Sequence, residues 1–181
     1  NIIDSKNLNI IYFSIIFHDI IYDVSAKKWK NENNSSIFAE LYLNDLWIDQ
    51  NFVTKVKDMI NLTANHLVDE NNELWKFMID IDLSILWRDW SSYYLYAKKI
   101  RKEYSNFSDI DYIKWRLNFL EWLLNRQIYQ TKYFIDLYEK QAKLNIQKEI
   151  QLLKLEKEYL FKIQKLKQLD ENSPDMQLLI K

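Results

Sequence analysis

The 181-residue chain contains no cysteine, no glycine and a single proline, Pro174. Without cysteine there can be no disulfide, thiolate metal site or cysteine nucleophile, and the expected setting is a reducing, cytoplasmic one. Glycine makes up roughly 7% of an ordinary domain, and its absence removes whole mechanisms. A phosphate-cradling loop, a dinucleotide-binding turn and a nucleophile elbow each need a backbone without Cβ in a strained or closely approached position. Any phosphate must therefore meet side chains, helix ends or a metal. Neither sign of charge is in excess: 25 basic and 26 acidic residues leave a formal charge of −1, so no overall field draws nucleic acid. A membrane span is also missing, because the longest apolar run, Leu8 to Ile21, is short and interrupted by Asn9, Ser14, His18 and Asp19. No charged segment leading into a small-residue cleavage site is present, so no secretory signal is read.

What is present suits one domain with a sizeable core, at 48% hydrophobic residues. Apolar residues recur at helical spacing and nowhere alternate strictly, which predicts an all-α fold. Helices are expected at about 7–22, 35–48, 50–66, 72–86, 90–105, 109–126 and 131–169, with a polar loop over 25–34 and a frayed tail at 171–181. Residues 1–130 read as a helical domain, and the long helix over 131–170 as an element packing on it or projecting from it. In the sixth segment Ile110, Ile113, Leu117, Leu120 and Leu124 form one stripe, with Ser108 and Asp111 as a cap. In the last, Ile146, Ile150, Leu153, Leu160 and Ile163 form a narrow stripe among Lys, Glu and Gln. That stripe fits a self-pairing seam, hence a homo-oligomer through the C-terminal helix, and equally a helix resting one face on the body.

Two places carry candidate chemistry. Phe17-His18-Asp19-Ile20-Ile21-Tyr22-Asp23 sets an imidazole and a carboxylate side by side in an apolar stretch, a costly arrangement unless something satisfies both. Taken alone, the dipeptide fits a hydrogen-bonded surface histidine better than a metal ligand. The second place is Thr63 with His66 and Asp69, followed by Asp80-Ile81-Asp82-Leu83-Ser84-Ile85-Leu86. Carboxylates two apart cannot share a helix face, so one of Asp80 and Asp82 is expected to face His18 and the other to cap a helix.

The order of these pieces resembles the metal-dependent phosphohydrolases of the HD superfamily. Members carry strings like FHDxxYD, NEExSA, TxxH, DxDLxILG, YxxxIRxEY and RxxIYxTxxF…ExxARxNLxxE. This chain has FHDIIYD at 17–23, Asn31-Glu32 with Ser35-Ser36, Thr63 with His66, and DIDLSIL at 80–86. It continues with Tyr96, Ile100, Arg101, Glu103 and Tyr104, then Arg126, Ile128, Tyr129, Thr131, Phe134, Glu139, Ala142, Asn145 and Glu149. The resemblance covers residues 10–150 and implies an HD-like helical bundle holding a divalent ion (Mn, Fe, Zn, Ni or Mg). It implies His18, Asp19 and Asp82 as ligands, His66 as an auxiliary ligand or phosphate contact, and Asp19 as the group that takes the proton of a metal-activated water. Arg101 and Lys98 are then the candidates for binding the phosphate of a small ester or nucleotide. Three departures stand out. The family's upstream histidine ligand has no counterpart before His18, which suggests an N-terminally truncated chain or a site that has lost a ligand. Trp87 replaces the glycine of DxDLxILG, and Asn33 an acidic residue of NEExSA. A catalytically inactive HD-fold scaffold pairing through its C-terminal helix is the alternative.

Overall fold

The computed structural model describes residues 4–27, 29–64 and 72–171. All its regular elements are helices: α1 (Ser5–Phe17), α2 (Lys30–Asp45), α3 (Gln50–Leu62), α4 (Glu73–Asp82), a 3-10 segment (Leu83–Trp87), α5 (Trp90–Glu103), α6 (Asp109–Leu124) and α7 (Lys132–Glu171). An all-α bundle with a long C-terminal helix is thus the fold. His66 and Asp69 lie outside the described residues, as does the tail from residue 172.

Helix starts follow local chemistry. The side chains of Asp4, Asp49, Asn72, Asp89 and Ser108 each accept a hydrogen bond from the backbone N–H three residues on. Each satisfies one of the donors a helix N-terminus leaves open. Two boundaries differ from expectation. α1 ends at Phe17, so His18 and Asp19 sit at its C-terminal edge rather than within it. α2 begins at Lys30, five residues early, because Glu32 in its first turn complements the helix dipole. Ser35 and Ser36 are small enough to be buried there.

Lacking glycine, the chain places tryptophans in the left-handed backbone region, Trp29 at φ 75° and Trp47 at φ 58°. Trp47 is 93% exposed, so little packing offsets the strain. Trp47→Gly should therefore raise stability by about 0.5–1 kcal/mol, seen as a higher urea midpoint at unchanged slope.

Two clusters form the core. The first joins α1 to α4 through Ile10, Leu43, Val53, Val56, Met59 and Met78. The second joins the 3-10 segment, α5, α6 and α7 through Leu86, Tyr93, Ile113, Leu120, Ile128 and Ile146. Phe77 and Ile81 of α4 pack against both, so α4 is the hinge of the architecture. The stripe on α7 settles its own role: Ile146, Ile150 and Leu153 are buried in this second cluster, and Leu160 packs against it. It rests on the body of the protein and is not a free seam.

Polar side chains of α7 complete the packing. Glu139 accepts from the N–H groups of Ile128 and Tyr129. Asn145 donates to the carbonyls of Leu86 and Arg88 at 2.8 Å, ending the 3-10 segment.

Candidate metal and phosphate site

The loop after α1 is held from α2. Asn31 bonds both the N–H and the carbonyl of Asp23, at 3.1 and 3.0 Å, and the Ser35 hydroxyl bridges the N–H and carbonyl of Ile21. These clamps tie the FHDIIYD loop to the helix carrying Asn31 and Ser35, and thereby fix His18 and Asp19.

Asp80 and Asp82 point apart. Asp82, the last residue of α4, meets His18, its Oδ1 lying 3.0 Å from Nε2, while Asp19 Oδ2 lies 3.3 Å from the same nitrogen. Asp80 is fully buried and accepts from Gln130 N–H, Thr131 N–H and the Thr131 hydroxyl, so the helix it caps is α7.

The His18 ring is oriented on its other side by Nδ1, 2.8 Å from the Ile15 carbonyl. A carbonyl only accepts, so Nδ1 carries a proton. In a neutral ring Nε2 would then turn a lone pair toward two carboxylates, which is unfavourable unless a positive charge sits between them. A proton on Nε2 provides that charge. Burial alone lowers the ring's pKa, but hydrogen bonds to Asp19 and Asp82, together with their charges, more than reverse this and push it from 6.5 up to about 11.

A divalent ion is the other way to place positive charge there. One imidazole and two carboxylates are a suitable donor set, and ligands each about 2.1 Å from one ion stand roughly 3.0–3.4 Å apart. The separations here match that spacing. As they stand, however, the carboxylates close onto the ring nitrogen rather than around an open centre. Among the described residues no group of three or more His, Cys, Asp or Glu side chains is arranged to hold an ion.

These residues line a cavity of about 610 Å³, shared with Glu32, Thr63, Tyr96, Lys99, Glu103 and Arg116 among others. Neither Lys98 nor Arg101 is among its lining residues. Lys98 Nζ lies over the Tyr94 ring. Arg101 donates to the carbonyls of Tyr104 and Phe107 and pairs with Asp109 at 2.6 Å, joining α5 to α6. The cavity's cations are instead Lys99 and Arg116, which the sequence reading passed over. Helical spacing could have found Lys99, because Tyr96, Lys99 and Glu103 share one face of α5 while Lys98 and Arg101 fall off it. Arg116 sits inside the apolar stripe of α6, where a charge is not expected.

Arg116 is 2% exposed. Its Nε and one terminal nitrogen form a forked pair with Glu149 at 2.8 and 3.1 Å, and it also bonds the Tyr96 hydroxyl. The Tyr93 hydroxyl donates to the same Glu149 carboxylate. Burial, then the Glu149 charge, push the Tyr93 phenol well above its ordinary value, keeping that proton in place.

No helix among the described residues is long and apolar enough to cross a membrane. Comparison with protein-family models, curated proteins and solved structures finds no match to this chain.

Proposed function

We propose that this chain is a cytoplasmic, metal-dependent phosphohydrolase of HD type that cleaves a small phosphate ester at the His18, Asp19 and Asp82 cluster. One observation carries the reading: with Nδ1 fixed on the Ile15 carbonyl, Nε2 and two carboxylates converge, a donor set in which a divalent ion would take the place of the Nε2 proton. The cavity's charge supports it. Asp19, Glu32, Asp82 and Glu103 face it, while the charge of Arg116 is matched by Glu149, leaving Lys99 and the protonated His18 against four carboxylates. A phosphate entering unaided would be repelled.

A divalent ion bound there would supply a lowered water pKa and a polarised phosphoryl oxygen. His18 and Asp82 hold the position, each partly buried. Asp19, with its side chain 59% exposed, can receive the proton of the attacking water. Lys99 offers N–H donors to the phosphate. In this reading it takes the part that the family resemblance implies for Lys98 and Arg101.

Melting curves with Mn, Zn and Mg, for the wild type and Asp82→Ala, test the reading alongside release of phosphate from a panel of phosphate esters. An ion at a hundred times its Kd stabilises by about 2.7 kcal/mol, or about 5–10 °C for a chain of this size. The wild type should gain that shift and the variant lose it. No response from either protein would sink the proposal.

Proton and metal compete for Nε2, so the sign of the pH dependence follows. Metal affinity should rise close to tenfold per pH unit as pH climbs toward about 11, because the ion displaces the His18 proton. Without metal the order reverses. The raised pKa contributes stability that is complete below 6.5 and lost as pH climbs toward about 11, and His18→Ala should remove this dependence.

A scaffold that pairs through α7 is the second reading. Leu137, Leu144, Leu155 and Tyr159 are 49–64% exposed on the side of α7 away from the core. Sedimentation that changes with concentration, and ceases to do so in Leu155→Glu, would favour it.

A further inference from the structure

We propose that Tyr104, Trp115 and Phe119 form a binding wall for a planar ring carried by the substrate, whether a nucleobase or a simple aryl group. The proposal rests on the phosphohydrolase reading for what lies beside the ring, and on the wall itself for the ring.

Trp115 and Phe119 lie four residues apart on α6 and so share a face, and Tyr104 reaches them from the end of α5. Tyr104 stacks on Trp115 with centroids 4.5 Å apart and planes 22° apart, and Trp115 lies within 8° of parallel to Phe119 at 6.1 Å. Three near-parallel rings therefore line the cavity that contains His18 and Asp82. The row continues outward to Trp122, 30° from Phe119, which Arg126 covers at 4.5 Å. On the other side the Tyr22 hydroxyl meets that of Tyr104 at 3.2 Å, bracing the wall from the loop that carries His18.

Trp115 remains 41% exposed despite these neighbours. An indole whose faces meet Tyr104 and Phe119 and whose remainder is left wet beside a concavity is an unfavourable arrangement that a substrate ring packed edge-to-face against the row would relieve. The cavity's volume lies within the range of small-molecule sites, and its lining combines apolar and aromatic side chains with charged groups, the usual division between holding a ligand and orienting it.

The test uses uncharged ligands that need neither metal nor phosphate. Adenosine, phenyl riboside and methyl riboside carry the same sugar and differ in the attached group; their Kd values are measured by NMR titration in EDTA. At least one ring-bearing compound should bind tenfold or more tightly than methyl riboside. Trp115→Ala should abolish that difference and Trp115→Phe retain it, with circular dichroism checking the fold. If Trp115→Ala unfolds, Phe119→Ala is read in the same way. Stronger binding of adenosine assigns a nucleobase, and stronger binding of phenyl riboside a simple aryl group. Equal binding of all three, or a difference that survives in folded Trp115→Ala, overturns the wall. A ring preference without metal stabilisation would leave this inference standing while removing the hydrolase reading, and a metal response without ring preference would do the opposite.

Discussion

Glu149→Ala should lower the stability of this protein by about 3–5 kcal/mol, because it strands a buried guanidinium. Arg116 is 2% exposed and held by both oxygens of Glu149. The variant also takes the acceptor from the Tyr93 hydroxyl, so a second buried polar group loses its partner. The three residues belong to α5, α6 and α7, and the loss should therefore appear in global unfolding rather than as local fraying. In a domain whose total stability is about 5–15 kcal/mol, melting should fall by about 6–20 °C. Replacing the pair together, as Arg116→Met with Glu149→Leu, should restore part of the stability, since no charge is then left buried while the Tyr93 hydroxyl still lacks its acceptor. Urea unfolding of the single and double variants checks both halves. A single variant within 1 kcal/mol of wild type would show that the pair is not the anchor of these three helices.

Asp80→Ala should cost about 2–4 kcal/mol by a different route. One carboxylate accepts from Gln130 N–H at 2.7 Å, Thr131 N–H at 2.8 Å and the Thr131 hydroxyl at 2.6 Å. Removing it opens the N-terminus of a 40-residue helix inside the core. Burial pushes the Asp80 carboxyl above its ordinary value despite these donors, so the fold favours its neutral form more than water does. By the same sign, its contribution is largest at acid pH and declines as pH rises through the folded pKa. The neutral, nearly isosteric Asp80→Asn should accordingly cost less than Asp80→Ala. Amide exchange over 128–135 provides the local readout: protection should fall there in Asp80→Ala first, and uniform loss along the chain would contradict the capping role.

Both predictions concern polar residues within or beside the strings that suggested the HD resemblance. Glu149, Glu139, Asn145 and Thr131 all serve the packing of α7 on the rest of the chain. Asn31 and Ser35 clamp the His18 loop. A chain with no glycine must shape its turns and helix ends with side-chain hydrogen bonds, and these are the residues that do so. The polar positions of those strings thus report as much about how the bundle is held together as about chemistry.

Periodicity in the sequence determined the all-α class and the existence of each helix, because a buried face must recur every three to four residues whatever it packs against. Local chemistry likewise placed the Ser108 cap, and the two-residue spacing of Asp80 and Asp82 already required them to face apart. Partners were not determined in this way. That the α7 stripe meets α6 and the 3-10 segment rather than a second copy, that Asp80 caps a helix some fifty residues away, and that Arg116 has Glu149 across the core are long-range pairings. Of the cavity's cations, Arg116 was out of reach because its partner lies across the core, whereas Lys99 shares a legible face with Tyr96 and Glu103 that only the packing of α5 turns to the cavity. Local sequence sets which faces and caps exist. Only the tertiary structure decides which face meets which, because that choice belongs to the joint packing of the helices and to no single segment.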